Sequence, residues 1–146
     1  MTSAVLTHEA LDSGALLDAV RHEGHGASTL FIGSTRREGE GPSSVVALAY
    51  DAYPEMALEV MAALVGDLRE RFGALAAVAH RLGEVAAGEA SIMVAVSAPH
   101  RAEAFAACRF AVDALKRDLP VWKQEIRADG TRAWRDGMPV AVPSSA

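Results

Sequence analysis

Cysteine is almost absent: Cys108 is the only one in 146 residues. That excludes an internal disulfide and a cysteine-rich zinc site, and it points to a reducing compartment. Aromatic residues make up only 5% of the chain while 51% of it is hydrophobic, much of that alanine. The core must therefore rest on Val, Leu, Met and close backbone approach. A basic excess is also missing. With a formal charge of −5, the chain lacks the electrostatic footprint of a nucleic-acid-binding domain, so an anionic ligand has to be met by a local basic cluster. No stretch approaches the roughly 20 apolar residues of a membrane span. Residues Met1 to Leu6 have neither the basic region nor the long apolar run of a signal peptide. The expectation is a cytoplasmic protein that binds neither membrane nor nucleic acid.

The length allows one domain with a real core. Residues 1–136 are expected to form it, and residues 137–146, with Pro139, Pro143 and two serines, read as a flexible tail. Ala4 to Thr7 has strand character, and Asp12 can cap a helix running to Arg21. Strands are expected at Ala27 to Gly33 and Val45 to Tyr53, around a loop from Ser34 to Ser44. From Pro54 the period becomes helical, with Met56, Val60, Leu64 and Leu68 on one face as far as Phe72. Ala76 to Arg81 and Ser91 to Ala98 read as two further strands separated by turn residues. A last helix, about His100 to Leu119, is marked by Phe105, Cys108, Val112 and Leu115. Val121 to Arg127 and Thr131 to Trp134 close as a hairpin around Asp129-Gly130. This order predicts an α+β domain with a mixed or antiparallel sheet and packed helices.

Lysine chemistry stands out at Ala114-Leu115-Lys116-Arg117-Asp118-Leu119-Pro120-Val121-Trp122-Lys123. A helix carrying Lys116 stops at a proline, and the next strand presents Lys123. Two ammonium groups on different elements can converge on one anion, and partial desolvation beside another cation lowers a lysine's pKa. Lys116 borders the apolar helix face at 100° per residue, so its stem can lie on that face while its ammonium reaches a cleft. A surface lysine paired with Asp113 has the same pattern. Lys123 alternates with Trp122, which sends the two to opposite faces; a solvated edge-strand lysine reads equally well.

His100-Arg101 falls where strand gives way to helix, where free N–H groups and two cationic side chains suit a phosphate; a solvated capping loop is the alternative. The loop Gly33 to Gly41 combines glycines with Arg36 and Arg37 but lacks the lysine and the following helix of a P-loop. His80-Arg81 could supply a base or a ligand, but one histidine beside an arginine makes no metal site and core or interface structure is expected of it; His22 and His25 lack an acidic partner, and Cys108 lies on a buried helix face as a packing residue. No metal site and no cofactor are expected.

Taken in order, six segments resemble the catalytic, or large, subunit of molybdopterin synthase: Gly33 to Arg36, Tyr53-Pro54-Glu55-Met56, His80-Arg81-Leu82-Gly83-Glu84, Ser97-Ala98-Pro99-His100-Arg101, Ala114-Leu115-Lys116, and Pro120-Val121-Trp122-Lys123-Gln124-Glu125. The resemblance implies an α/β hammerhead fold. It implies conversion of cyclic pyranopterin monophosphate to molybdopterin, with sulfur from a small ubiquitin-like carrier whose Gly-Gly tail ends in a thiocarboxylate. It also implies a homodimer at the centre of a heterotetramer. Carried over by position, Lys116 and Lys123 are catalytic and also touch substrate, Arg36, His100 and Arg101 bind substrate, and Ser34, Thr35, Gln124 and Glu125 line the same pocket. The chain departs from the family pattern at Ser34-Thr35 and at Val121. Two other readings remain: a non-catalytic module that docks a ubiquitin-like protein, and a stand-alone phosphate-ester enzyme.

Overall fold

The computed structural model describes residues 3–135; the expected tail at 137–146 lies outside them. In chain order the elements are β1 Ala4–Thr7, α1 Ser13–Ala19, β2 Ala27–Ser34, β3 Val45–Ala52, α2 Pro54–Phe72, β4 Leu75–Arg81, β5 Gly83–Ala86, β6 Ala90–Ala98, α3 Arg101–Asp118, β7 Val121–Arg127 and β8 Arg132–Trp134. Local chemistry accounts for the helix ends. The Asp12 carboxylate accepts from Ala15 N–H at 3.1 Å and caps α1. Pro54 opens α2, Arg69 and Arg71 sit in its last turn, and Gly73 closes it at φ 61°, a left-handed conformation that glycine adopts without a Cβ clash.

The strands form two sheets rather than one. The first has the order β1-β4-β6-β2, with β1 parallel to β4 and the other pairs antiparallel; the second is antiparallel with the order β5-β3-β7-β8. Strand β5 was not expected from the sequence, because Gly83 and the Ala87-Gly88-Glu89 turn read as punctuation between longer strands. Only Leu82 separates it from β4. Gly83 at φ 81° lets the chain bend there from the first sheet into the second.

Helices α2 and α3 cover one face of the first sheet, where Met61, Leu68, Val78, Val94, Val96 and Ala111 are fully buried. Helix α1 covers the other face through Leu16 and Val20 against Ala77, Ala79, Met93 and Ala95. The predicted inward faces of both long helices are off by about one residue at their N-terminal ends. Phe105 is 66% exposed and Met56 54% exposed, whereas Ala104, Ala107, Ala111 and Ala57 are wholly buried. A helix that approaches its neighbours closely needs small side chains at the contact, so alanine takes the interior and the larger residue is displaced 100° toward solvent. Val60 and Val112 are half-buried, and Leu64, Leu68, Cys108 and Leu115 are buried as expected.

This packing predicts an inverted size rule on α3. Ala111→Leu loses roughly 1–3 kcal/mol through overpacking. Phe105→Ala changes stability by less than about 0.5 kcal/mol. Urea unfolding of the two variants checks the order; a larger loss for Phe105→Ala overturns it.

Candidate functional site

The cavity that gathers the predicted chemistry lies where the two sheets meet the C-terminal end of α3. It encloses about 440 Å³. Strand periodicity puts its walls in register. In the second sheet Tyr50 of β3 stands directly opposite Lys123 of β7, and both line the cavity, as does Leu48 two residues earlier. In the first sheet a row crosses three strands: His80 of β4 pairs with Ile92 of β6, which pairs with Gly33 of β2. All three line the cavity. A Cβ on Gly33 would meet Ile92 Cγ2 at 2.6 Å, so the wall can come this close only because position 33 has no side chain.

The end of α3 supplies the other wall. Leu119 N–H bonds the Leu115 carbonyl at 3.0 Å, and Tyr53 N–H bonds the Pro120 carbonyl at 3.3 Å. Pro120 then turns the chain into β7. Lys116, at the last turn of α3, and Lys123, in β7, line the same cavity. Lys116 is exposed, Lys123 is half-buried, and Trp122 lies on the Tyr53 ring edge-on at 4.9 Å. Ser34 and Arg36 line the cavity from the end of β2 and the loop after it. The two lysines, Ser34 and Arg36 are thus brought together.

The other predicted residues take different places. Thr35 points inward and is 2% exposed, with its N–H on the Glu89 carbonyl at 3.0 Å. It fixes the loop that carries Arg36 instead of lining the cavity. Glu125 accepts from Arg135 at 3.0 Å, and Arg135 also bonds Glu38 at 2.6 Å; Arg135 and Glu38 both line the cavity. Glu125 therefore acts behind Arg135. Gln124, on the opposite face of β7, accepts from Arg132 at 3.5 Å. His100 and Arg101 are exposed at the N-terminal end of α3. At 1.5 Å per residue they stand about 22 Å along the axis from Lys116, so one chain does not bring them to its own cavity.

Three further lining residues carry chemistry: His80, which the sequence raised as a base or ligand but favoured as structure, and Glu38 and Arg135, which it did not single out. Arg135 follows the last strand, and nothing local distinguishes it. Glu38 was one acid in a charged loop, yet the Arg135 guanidinium bonded to it holds its carboxyl below the ordinary value. His80 is 4% exposed. Its Nδ1 lies 2.8 Å from the Arg81 carbonyl and its ring meets Tyr50 edge-on at 4.9 Å. Burial, opposed by that hydrogen bond and assisted by the charge of Lys123, brings its pKa from 6.5 down to about 4. The strand alternation of β4 was the available signal, but a lone histidine in an apolar strand is usually a packing residue.

A larger groove of about 710 Å³ runs between α2 and α3. Its charged residues, Asp67, Glu70, Arg71, Arg117 and Asp118, are of both signs, and none of the predicted site residues lines it. Among the described residues no group of three His, Cys, Asp or Glu is placed to hold a metal ion, and no helix is long and apolar enough to cross a membrane.

His80 makes acid stability a test of the site. Between pH 6.5 and about 4 the unfolded chain protonates this ring and the folded chain does not, so stability falls as pH drops through that window. His80→Asn makes the loss shallower by up to about 1.4 kcal/mol per pH unit. His25, pushed down by burial and by His22, acts with the same sign in both proteins and cancels. Urea midpoints at about pH 7 and pH 5 measure the difference, and parallel slopes refute it.

Comparison with known proteins agrees with this architecture. The family model described as MoaE protein matches residues 6–118. Molybdopterin synthase catalytic subunit 1 of Aedes aegypti is 45% identical over 127 residues, which span 86% of this chain and 81% of that protein. The crystal structure of molybdopterin synthase from Staphylococcus aureus superposes with a TM-score of 0.87 at 28% identity, covering 94% of this chain and 99% of that one. A chain from the complex of subunits 1 and 2 of the molybdopterin-converting factor of Helicobacter pylori has the same fold, with a TM-score of 0.76 at 22% identity over 92% of this chain and 91% of its own. A family match over most of the chain, the shared fold and a relative of this identity lead to one conclusion: the chain belongs to the MoaE protein family.

Proposed function

We propose that this protein is the catalytic subunit of a molybdopterin synthase. It converts cyclic pyranopterin monophosphate to molybdopterin with sulfur from the thiocarboxylated tail of a small ubiquitin-like subunit. The observation that carries the reading is the convergence of Lys116 and Lys123, from two different elements, on one cavity that also receives Arg36. The catalytic-subunit name of the Aedes aegypti relative supports the same assignment.

The chemistry follows from the donors present. Lysine and arginine in their charged forms only donate hydrogen bonds, and three of them around one cavity suit a phosphate and the negative charge that develops as the cyclic ester opens. Lys116 and Lys123 are the catalytic pair, and Ser34 and Arg36 bind substrate beside them. Thr35, Gln124 and Glu125 support that binding from behind: Thr35 by fixing the Arg36 loop, Glu125 by holding Arg135, and Gln124 by tying β7 to Arg132. His100 and Arg101 lie too far along α3 to touch substrate in their own chain. In this reading they do so from the second copy of a homodimer, which forms the centre of a heterotetramer with one sulfur carrier at each end.

Sulfur has to come from outside the chain. Cys108, its only cysteine, is a free thiol packed in the core between α3 and the first sheet. A donor supplied in trans meets that requirement, and a cytoplasmic location is part of the same reading. The Helicobacter pylori chain of the same fold, solved with its second subunit, supports the two-subunit arrangement.

Purified protein mixed with cyclic pyranopterin monophosphate and thiocarboxylated carrier is expected to yield molybdopterin. Lys116→Ala and Lys123→Ala each lower the rate by at least about a hundredfold while carrier binding persists. Unchanged rates in both variants reject the lysine roles. Absence of product where a known synthase works rejects the function, and turnover of simple phosphate esters by the isolated chain favours a stand-alone enzyme.

A further inference from the structure

The cavity is rich in hydrogen-bond donors and poor in proton acceptors. Lys116, Lys123, Arg36 and Arg135 supply four cationic side chains to it. Of the acids at this site, Glu38 and Glu125 both bond Arg135, so their oxygens are already engaged by a cation. His80 differs from all of these. A carbonyl oxygen only accepts, so the 2.8 Å contact between His80 Nδ1 and the Arg81 carbonyl requires the proton on Nδ1. Nε2 of the neutral ring is then left with its lone pair. The ring itself lines the cavity. A pinned tautomer and an edge-on Tyr50 hold the ring in one orientation.

Sulfur delivery creates a need for such a group. When a thiocarboxylate sulfur bonds to a substrate carbon, the carrier's acyl carbon is still attached to that sulfur. Water has to remove it. We propose that His80 is a further catalytic residue of this cavity, the acceptor that takes a proton from water as the acyl–sulfur bond is cleaved. The inference rests on the synthase reading. Water oxygen bonds to the acyl carbon, the carbon–sulfur bond breaks, and its electron pair stays on sulfur as a thiolate facing Lys116 and Lys123. One water proton goes to His80 Nε2. The other leaves as the new carboxylic acid of the tail ionises to solvent.

The surroundings make this base responsive to substrate. The charged and titratable groups that share the cavity with His80 are Lys123 on β7, Tyr50 on β3, Lys116 at the end of α3, and Arg36, Glu38 and Arg135. Strands β1 and β6 place Leu6 and Ile92 beside it. Burial and the Lys123 charge keep the ring neutral. A phosphate among the cations offsets their charge and strengthens Nε2 as a base. Proton acceptance is thereby favoured once substrate is bound.

Two measurements test this. In the wild-type protein, nitrogen NMR of labelled histidine is expected to show His80 neutral with its proton on Nδ1 at about pH 7, and inorganic phosphate should raise its titration midpoint. A ring protonated on Nε2, or charged at that pH, overturns the inference whatever the protein's function. In turnover, His80→Asn, whose amide can still donate to the Arg81 carbonyl, should lower product formation about 10²- to 10⁴-fold. Substrate affinity should stay within about threefold, and a covalent carrier–substrate adduct should accumulate by mass spectrometry. A rate within about threefold of wild type, or a loss without the adduct, overturns the role. His80→Gln replaces the variant if Asn prevents folding, and if neither folds the NMR result decides. A wild-type protein that makes neither product nor adduct defeats the synthase reading instead.

Discussion

A small apolar knot holds the site together. Ala52, Ala57 and Leu82 are buried against Leu6, Tyr50, Leu119 and Val121. These seven residues come from β3, α2, the bend between β4 and β5, β1, the end of α3 and the start of β7. The knot therefore joins both sheets to the point where α3 ends. Lys116 stands three residues before Leu119 and Lys123 two residues after Val121, so the two ammonium groups share a cavity because the apolar residues between them are anchored there. Polar chemistry is positioned by a contact that contains no charge.

The electrostatics run against the global composition. The chain carries a formal charge of −5, yet four cationic side chains line one cavity. A cleft of one sign within a protein of the other focuses the field on that cleft. Glu38 and Glu125 temper it by clasping Arg135 at 2.6 and 3.0 Å. Burial keeps His80 uncharged among them. The cavity thus separates charge stabilisation, supplied by flexible cationic side chains, from proton acceptance, supplied by a rigid neutral ring.

Much of this was legible in the sequence because it depends on neighbours along the chain. Pro54 and the helical period after it located α2, and Pro120 located the turn that sets Lys116 against Lys123. Alternation separated Trp122 from Lys123 correctly. What escaped notice depends on contacts between distant segments. Phe105 looked like core because it is large and apolar, but helix packing selected the adjacent Ala104 for the interior. Strand β5 was hidden because its pairing partner β3 lies more than thirty residues earlier. His80 and Arg135 acquire their roles only when β3, β7 and the loop after β2 are folded around them. The same limit applies to His100 and Arg101, whose sequence pattern suits an anion while their position on α3 separates them from their own cavity.

The clasp between Glu38 and Arg135 joins residues 97 positions apart. Lys123 pairs with Tyr50 of the much earlier β3, and loop closure over such separations has to precede the contacts that reward it. During synthesis the cavity therefore stays open until β7 and the residues after β8 have been made. The Arg36 loop, made early, waits for its final fastening until the segment through Arg135 emerges, and a nascent chain halted before that point has an unfinished reaction chamber.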